Sequence, residues 1–483
     1  MNEFSTLFPT RKLAVTLFLS MLLPTALVAQ NLSTPIFTLE QAIQTSLSNN
    51  AEIKKALLGI DDGNEQVKLA WAAVMPEITS SAQYTRNIEI PVNFVPAQVF
   101  DPTAAEGELI PLQFGTDNNW QGGFTVSQNI FKGEALVGIS TARLYKSAQL
   151  DIYRSISQQV ITQTRIAYYN VLLARENYRV LEASVQRLEQ LLRENKVRLE
   201  AGIADDYDVL RIEVQLANQR PLLVQVENQI TATRRNLNLI LGLPTDTPIQ
   251  IQGNLLEYEI AMQNQELLQN QHLALVDGLS ALTGSGEIFM VESSDELLQK
   301  RGDVAVLESQ IALRDKQLTA FRSRFLPTVS ASYNLQWTAA QPGSPSFFEN
   351  AVRFQTLGLN VSMPLFQGFQ RTSDIARVKI EQNTLRTDLD QTMNRAEAEW
   401  SNLMDELERI FGSVEARKLA VYQAKEGYRI ATKRLESGVG SQLDVTDAEL
   451  QVREAEFNYV QLVHDYLVVK ANLDLATGQV PFL

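Results

Sequence analysis

Two kinds of periodicity alternate along this chain, and each appears twice. Between Ala167 and Leu192 the residues Val171, Ala174, Tyr178, Leu181, Val185 and Leu188 recur at steps of three and four. The same rhythm runs from Ala396 through Trp400, Leu403, Leu407, Ile410 and Val414, breaks at Arg417, and resumes at Val421, Ala424, Tyr428, Ala431 and Leu435. A seam of that spacing, sustained past three heptads, predicts helices packed as coiled coil. Four other stretches alternate with period two. Ile78, Ser80, Ala82 and Tyr84 oppose Thr79, Ser81, Gln83 and Thr85, and Trp120, Phe124, Val126 and Ile130 oppose Gln121, Thr125, Ser127 and Asn129. Val329, Ala331, Tyr333, Leu335 and Trp337 oppose Thr328, Ser330, Ser332, Asn334 and Gln336, while Leu357, Leu359, Val361, Met363 and Leu365 oppose Thr356, Asn360 and Ser362. These predict strands, and the pattern fits both a half-buried soluble strand and a transmembrane barrel strand.

The order of elements is that of an internal duplication. Arg198-Leu199-Glu200-Ala201-Gly202 returns as Arg434-Leu435-Glu436-Ser437-Gly438, and Asp208-Val209 as Asp444-Val445, both at an offset of 236. Gly123, Val126, Ser127, Phe131 and Gly133 return as Gly358, Val361, Ser362, Phe366 and Gly368 at 235, and Glu52-Ile53 and Pro76 as Asp303-Val304 and Pro327 at 251. The drop between 251 and 235 predicts a longer strand-to-strand loop in the first copy. The first repeat covers 37–242, with a helical stretch over 38–74, strands over 77–90 and 120–131, a long helix over 133–201 and a second over 205–241. Residues 243–294 are a linker. The second repeat covers 295–478, with a helical stretch over 295–325, strands over 327–338 and 356–366 and helices over 368–437 and 442–477, before a short tail over 479–483. Pro76, Gly133, Pro327 and Gly368 mark the junctions between strands and helices, since proline cannot continue a helix and glycine permits a sharp turn. The run from Gly133 to Gly202, as one helix, would be about 100 Å long. The two shorter helices of each unit then fit end to end beside it. The fold class is mainly α with a small β part.

Composition narrows the chemistry. The 483 residues contain no cysteine, which excludes disulfides, thiolate metal sites, cysteine nucleophiles and lipoprotein acylation. The two histidines, His272 and His464, are far apart in sequence. Neither metal-ligand spacing nor a nucleophile–base–orienter set appears, and no cofactor motif does either. A net charge of −14 argues against nucleic acid as a partner. Residues 1–29 read as a secretory signal peptide: Arg11 and Lys12 precede the apolar run Leu13 to Leu23, which is too short to span a bilayer, and Pro24 and Ala29 follow. An exported chain without later apolar spans enters a membrane, if at all, as strands.

Four strands leave two bare edges. In hydrocarbon each unpaired backbone group costs several kcal/mol, so edges of about ten residues would cost on the order of tens of kcal/mol. Barrels start at eight strands, so two, three or four copies would pool 8, 12 or 16. Trp120, Trp337, Phe347, Phe348 and Phe354 could form an interfacial aromatic girdle or pack in the ordinary way.

The residues at this point resemble the TolC-type outer-membrane efflux family. Phe37-Thr38-Leu39-Glu40-Gln41-Ala42 and Asn49-Asn50 are similar to the family's first helix. Arg301-Gly302-Asp303-Val304 resembles its Arg-Pro-Asp-Leu, with Gly302 in place of the proline, and the Phe-x-Gly strand ends and Gly-to-Asp-Val helical turns follow in order. The resemblance implies a homotrimer with a 12-stranded barrel in the lipid bilayer of the outer membrane, above an α-helical tunnel across the periplasm. Such a protein is a passive exit duct for efflux or type I secretion, not an enzyme, docked to an inner-membrane transporter through a periplasmic adaptor. It also implies that residues 243–294 contribute to a belt around the tunnel. The turns at Gly202 and Gly438 would then form the periplasmic tip and meet the adaptor. Asp444 and Asp447, with Asp205, Asp206 and Asp208 in the first copy, would line an acidic constriction. Asp205-x-x-Asp208 and Ser441-x-x-Asp444 also read as helix N-caps, which is the competing account. The rival for the whole chain is a soluble periplasmic coiled-coil scaffold or adaptor; a secreted hydrolase would need a catalytic cluster that is absent from the sequence.

Overall fold

The computed structural model describes residues 35–258, 300–343 and 350–480. The signal-peptide residues, most of the linker, Phe347 and Phe348, His272 and the tail from 481 lie outside them. The chain opens with a short strand, β1 (Ile36–Phe37), and two helices, α1 (Leu39–Asn49) and α2 (Ala51–Ala72). Strand β2 (Glu77–Arg86), a small hairpin of β3 (Val92–Pro96) and β4 (Leu109–Gln113), and β5 (Asn118–Phe131) follow. Then come α3 (Gly133–Glu200), α4 (Asp206–Ile240) and β6 (Gln250–Ile251). The second half has α5 (Gly302–Ser323), β7 (Thr328–Gln341), β8 (Val352–Ser362), α6 (Gln370–Glu436) and α7 (Gln442–Ala476).

Several boundaries differ from the sequence expectation, each for a local reason. The stretch over 38–74 is two helices, because Asn50 leaves helical geometry and caps α2 by accepting from the Glu52 amide at 2.8 Å. The long loop of the first copy is occupied by the β3–β4 hairpin. Helix α6 starts at Gln370 because Gly368 and Phe369 both take left-handed backbone, φ 57° and 67°. Strands β2 and β8 end at Arg86 and Ser362, short of 90 and 366, while β7 extends to Gln341.

The large sheet is antiparallel in the order β2–β5–β7–β8, so the two strand pairs meet at β5–β7 and the edges are β2 and β8. Its register sorts the side chains onto two faces. Ile78, Val126, Tyr333 and Leu357 share one, and Thr79, Thr125, Asn334 and Thr356 form a row across the other. Along that row the Thr125 hydroxyl donates to Asn334 Oδ1 at 2.9 Å, and Asn334 Nδ2 donates to the Thr356 hydroxyl at 3.3 Å. Trp120 stacks on Tyr84, ring centroids 4.0 Å apart, and shares the apolar face with Trp337. Phe354 pairs with Gln336 and stands on the polar face, so it does not belong to one girdle with the two tryptophans. A bulge between Asn129 and Phe131 takes Ile130 out of the alternation.

The helices repeat the order of the sheet. α2 and α4 lie along successive parts of α3, α5 and α7 pack against both α3 and α6, and α6 is last. At about 1.5 Å per residue α3 is about 100 Å long. End-to-end placement comes from close backbone contact. The Asn50 side chain donates from Nδ2 to the Ile240 carbonyl at 2.8 Å, and a Cβ on Gly242 would lie 2.4 Å from the Asn49 carbonyl. In the second copy Arg301 reaches the Ala476 carbonyl at 3.3 Å, and a Cβ on Gly478 would lie 2.4 Å from the Lys300 carbonyl. The largest core gathers at this level, with Tyr168, Leu172, Leu237, Leu255, Ile410 and Val463 buried together. The Tyr168 hydroxyl ties it to the parallel β1–β6 pair by donating to the Phe37 and Gln252 carbonyls. No helix among the described residues is long and apolar enough to cross a membrane.

Candidate functional site at the helical tips

Far from the sheet, α3 turns into α4 and α6 into α7 by the same device. Gly202 (φ 73°) follows the end of α3, and the Ile203 amide donates back to the Arg198 carbonyl at 2.8 Å. Gly438 (φ 75°) follows α6, and the Val439 amide donates back to the Arg434 carbonyl at 3.0 Å. A left-handed residue after the last turn closes the helix's free carbonyls at little cost only when it is glycine. Each turn leaves one apolar side chain in solvent, Ile203 at 70% and Val439 at 74% exposure.

Both capping arrangements form. The Asp205 carboxylate accepts from the Tyr207 amide at 3.3 Å. The Ser441 hydroxyl accepts from the Asp444 amide at 3.2 Å, while Asp444 Oδ2 accepts from the Ser441 amide at 3.0 Å, a complete capping box. The hydrogen bond from the Ser441 backbone, then that from its hydroxyl, holds the Asp444 carboxyl below its ordinary range. Asp444 and Asp447 are nonetheless exposed, and with Gln451 and Glu454 they form a polar stripe at helical spacing on α7; Val445, Ala448 and Val452 are buried on the other side. Asp205 and Asp206 are exposed, and Asp208 is half-buried. At the repeat offset Asp444 corresponds to Asp208 but Asp447 corresponds to Arg211, so the acidic pair is particular to the second copy.

The two tips are fastened to each other by polar ties that the sequence did not reveal. Arg198 Nη2 donates to the Leu435 carbonyl at 2.9 Å, and Asn195 Nδ2 donates to Gln442 Oε1 at 2.9 Å. Farther up, Arg187 pairs with Glu449 at 3.1 Å and Arg165 with Asp474 at 2.6 Å. Glu449 is 1% exposed, and neither its second oxygen nor Arg187 Nε has a hydrogen-bond partner. At the junctions between sheet and helices, Pro76 and Pro327 each stand one residue before a strand, and Gly133 opens α3 where a Cβ would lie 2.9 Å from Ser323 Cβ. Gly302, in the place of the family's proline, lets α5 approach α3: a Cβ there would lie 2.5 Å from Ser155 Cα. His464 Nε2 lies 2.9 Å from Asn170 Oδ1 within the helical core, and no cluster of three metal-ligating side chains occurs among the described residues.

A family model described as outer membrane efflux protein matches residues 42–243 and 294–479. The chain is similar to the outer membrane protein TolC of Vibrio cholerae, 22% identical over 433 residues covering 89% of this chain and 88% of that one. It is also similar to a probable efflux pump outer membrane protein, TtgC, of Pseudomonas putida, 20% identical over 440 residues covering 91% and 82%. The crystal structure of the Campylobacter jejuni CmeC outer membrane channel superimposes with a TM-score of 0.68 at 16% identity, covering 91% of this chain and 85% of that one. With the family model matching most of the chain, and the doubled strands and coiled coils arranged as in a solved channel, the chain belongs to the outer membrane efflux protein family of TolC-type exit ducts in the outer membrane.

Proposed function

We propose that three copies close into a 12-stranded barrel continuous with a helical tunnel, and that this duct passes its cargo without catalysis. The observation that carries the reading is the open chain: sheet and helices run in one order and stop at two unfinished edges, β2 with α2 and α4 on one side, β8 with α6 on the other. Every residue of β2 and of β8 is exposed in a single copy. Two different edges make a head-to-tail interface, which is stable only if the ring closes. Within that ring the exposed stripe of Asp444 and Asp447 faces the narrowing tunnel as a threefold acidic constriction, with Asp205, Asp206 and Asp208 beside it. The apolar Ile203 and Val439 next to Gly202 and Gly438 offer a periplasmic adaptor its contact, and through it an inner-membrane transporter. Light scattering on the detergent-purified protein tests the assembly. The expected protein mass is three chain masses, released from the envelope only by detergent; a monomer released without detergent would leave the soluble scaffold.

A further inference from the structure

Toward the tips the four long helices stand in the order α4–α3–α7–α6, with α3 and α7 in the middle and α4 and α6 on the flanks. The duplication makes inner and flanking helices comparable position by position, because α6 repeats α3 and α7 repeats α4. At the offset of 236, Gly412, Arg417 and Gly427 of α6 stand where α3 has Glu176, Leu181 and Leu191, all three buried. Pro221, inside α4, stands where α7 has Phe457, which packs against the largest core. Each flanking helix therefore carries helix-weakening residues where its inner counterpart carries packed ones. Pro221 and Arg417 both lie about 20 residues from the turns at Gly202 and Gly438, hence at one level, about 30 Å up the coils.

Below that level one core joins all four helices. Leu188 and Leu191 of α3 are buried with Ile212 and Leu216 of α4 and Val445 of α7, and Leu435 of α6 packs on them. The Arg187–Glu449 pair, the Asn195–Gln442 hydrogen bond and the hydrogen bond from Arg198 to the Leu435 carbonyl hold α3 to α7 and α6. Parting α3 from α7 would strand the buried Glu449 charge. Above this core the flanks are anchored least: the buried residues of α4 jump from Gln219 to Leu237, and those of α6 end at Val414.

Resting on the assembly reading above, we propose that both helical hairpins of one chain move at the tip as a single body, hinged in α4 at Pro221 and in α6 from Gly412 to Gly427. Opening then takes place between copies, where α4 of one chain faces α6 of the next, and not between the two hairpins of a chain. The mechanics follow from position. Sideways sway about the central α3–α7 pair lengthens one flank and shortens the other. A helix takes up such a change where its hydrogen-bond ladder is interrupted or where glycine frees its backbone. Pro221 supplies the first condition, having no N–H to give the Ala217 carbonyl, and Gly412 and Gly427 supply the second. The inner helices, continuous through this level, need only curve gently.

Planar-bilayer recordings on detergent-purified variants that keep the trimer mass test the hinges and the body separately. Gly412→Ala and Gly427→Ala add no clash, since among the described residues nothing lies within 4 Å of a Cβ at either. Each should make openings about fivefold rarer, because alanine favours the straight helix over glycine. The body is tested with Arg198→Cys/Leu435→Cys in a chain that has no other cysteine. A short thiosulfonate linker joins α3 to α6 within a chain, read as a band of single-chain mass on a denaturing gel, and dithiothreitol removes it. Opening frequency should be the same with the linker and after its removal. Openings that return only when the linker is cut would put the motion inside the chain and overturn the proposal. Unchanged opening in both glycine variants would overturn it as well. Either result leaves the trimer standing, whereas a monomeric mass of the unsubstituted chain would remove both readings.

Discussion

Arg187 and Glu449 come from positions 262 residues apart and meet where the two coiled coils touch. Removing one member of such a pair strands the other charge, which costs more than the pair is worth. Arg187→Met should therefore destabilise the lower coiled coils by about 3 kcal/mol, discounted because the arginine is 24% exposed. Replacing both, Arg187→Met with Glu449→Leu, should recover most of that loss. Thermal unfolding of the detergent-purified variants checks both outcomes. In the proposed constriction Asp444 and Asp447 would act through charge rather than packing. Neutralising both as Asp444→Asn/Asp447→Asn should lower cation selectivity and weaken block by divalent cations in planar-bilayer recordings; unchanged values would leave Asp444 as a helix cap alone. Because its capping bonds depress its pKa in the fold, Asp444's contribution to stability and to charge is present at neutral pH. It is lost only as the pH falls through that lowered value.

At the scale of elements, matching glycines do different work. Gly438 and Gly478 have similar left-handed backbone, φ 75° and 65°, but nothing lies within 4 Å of a Cβ at Gly438, while one at Gly478 would meet the Lys300 carbonyl, just ahead of α5, at 2.4 Å. Gly438→Ala should cost about 1 kcal/mol, the conformational term alone. Gly478→Ala should cost roughly 3 kcal/mol, because α7 must also withdraw from α5. Hydrogen exchange at the start of α5 separates the two: only the second variant should open it. Gly438 was visible in the sequence as a repeated helix end, and Gly478 as the last residue of the second repeat. The contact that distinguishes them was not, because it joins residues 178 positions apart, Lys300 and Gly478. The seams were equally legible: Leu181, Val185 and Leu188 are buried, as are Leu407, Ile410 and Val414. Strand limits were less so, since a strand's length depends on how far its neighbour accompanies it, and β8 has one neighbour here.

For the whole molecule, sheet order β2–β5–β7–β8 and the matching helix order make the chain one third of a proposed wall rather than a finished body. Requirement for detergent is the expected outcome at this scale. An apolar face bearing Ile78, Leu357, Leu359 and Val361 is stable in water only if covered, and two open edges are stable in lipid only if paired. Light scattering on the released particle reads the number of copies that do so.

Local periodicity and repetition by themselves determined the element types, the duplicated order and the glycine turns, because backbone geometry and face burial leave their marks within a few residues of one another. The sequence alone also carried the resemblance to the efflux family. Only the tertiary structure decided the meeting of the strand pairs at β5–β7 and the polar ties of Arg165, Arg187, Asn195 and Arg198 across the repeats. Each of these is a choice of partner between distant segments, set by which surfaces meet when the duplicated halves pack, and no local pattern encodes it.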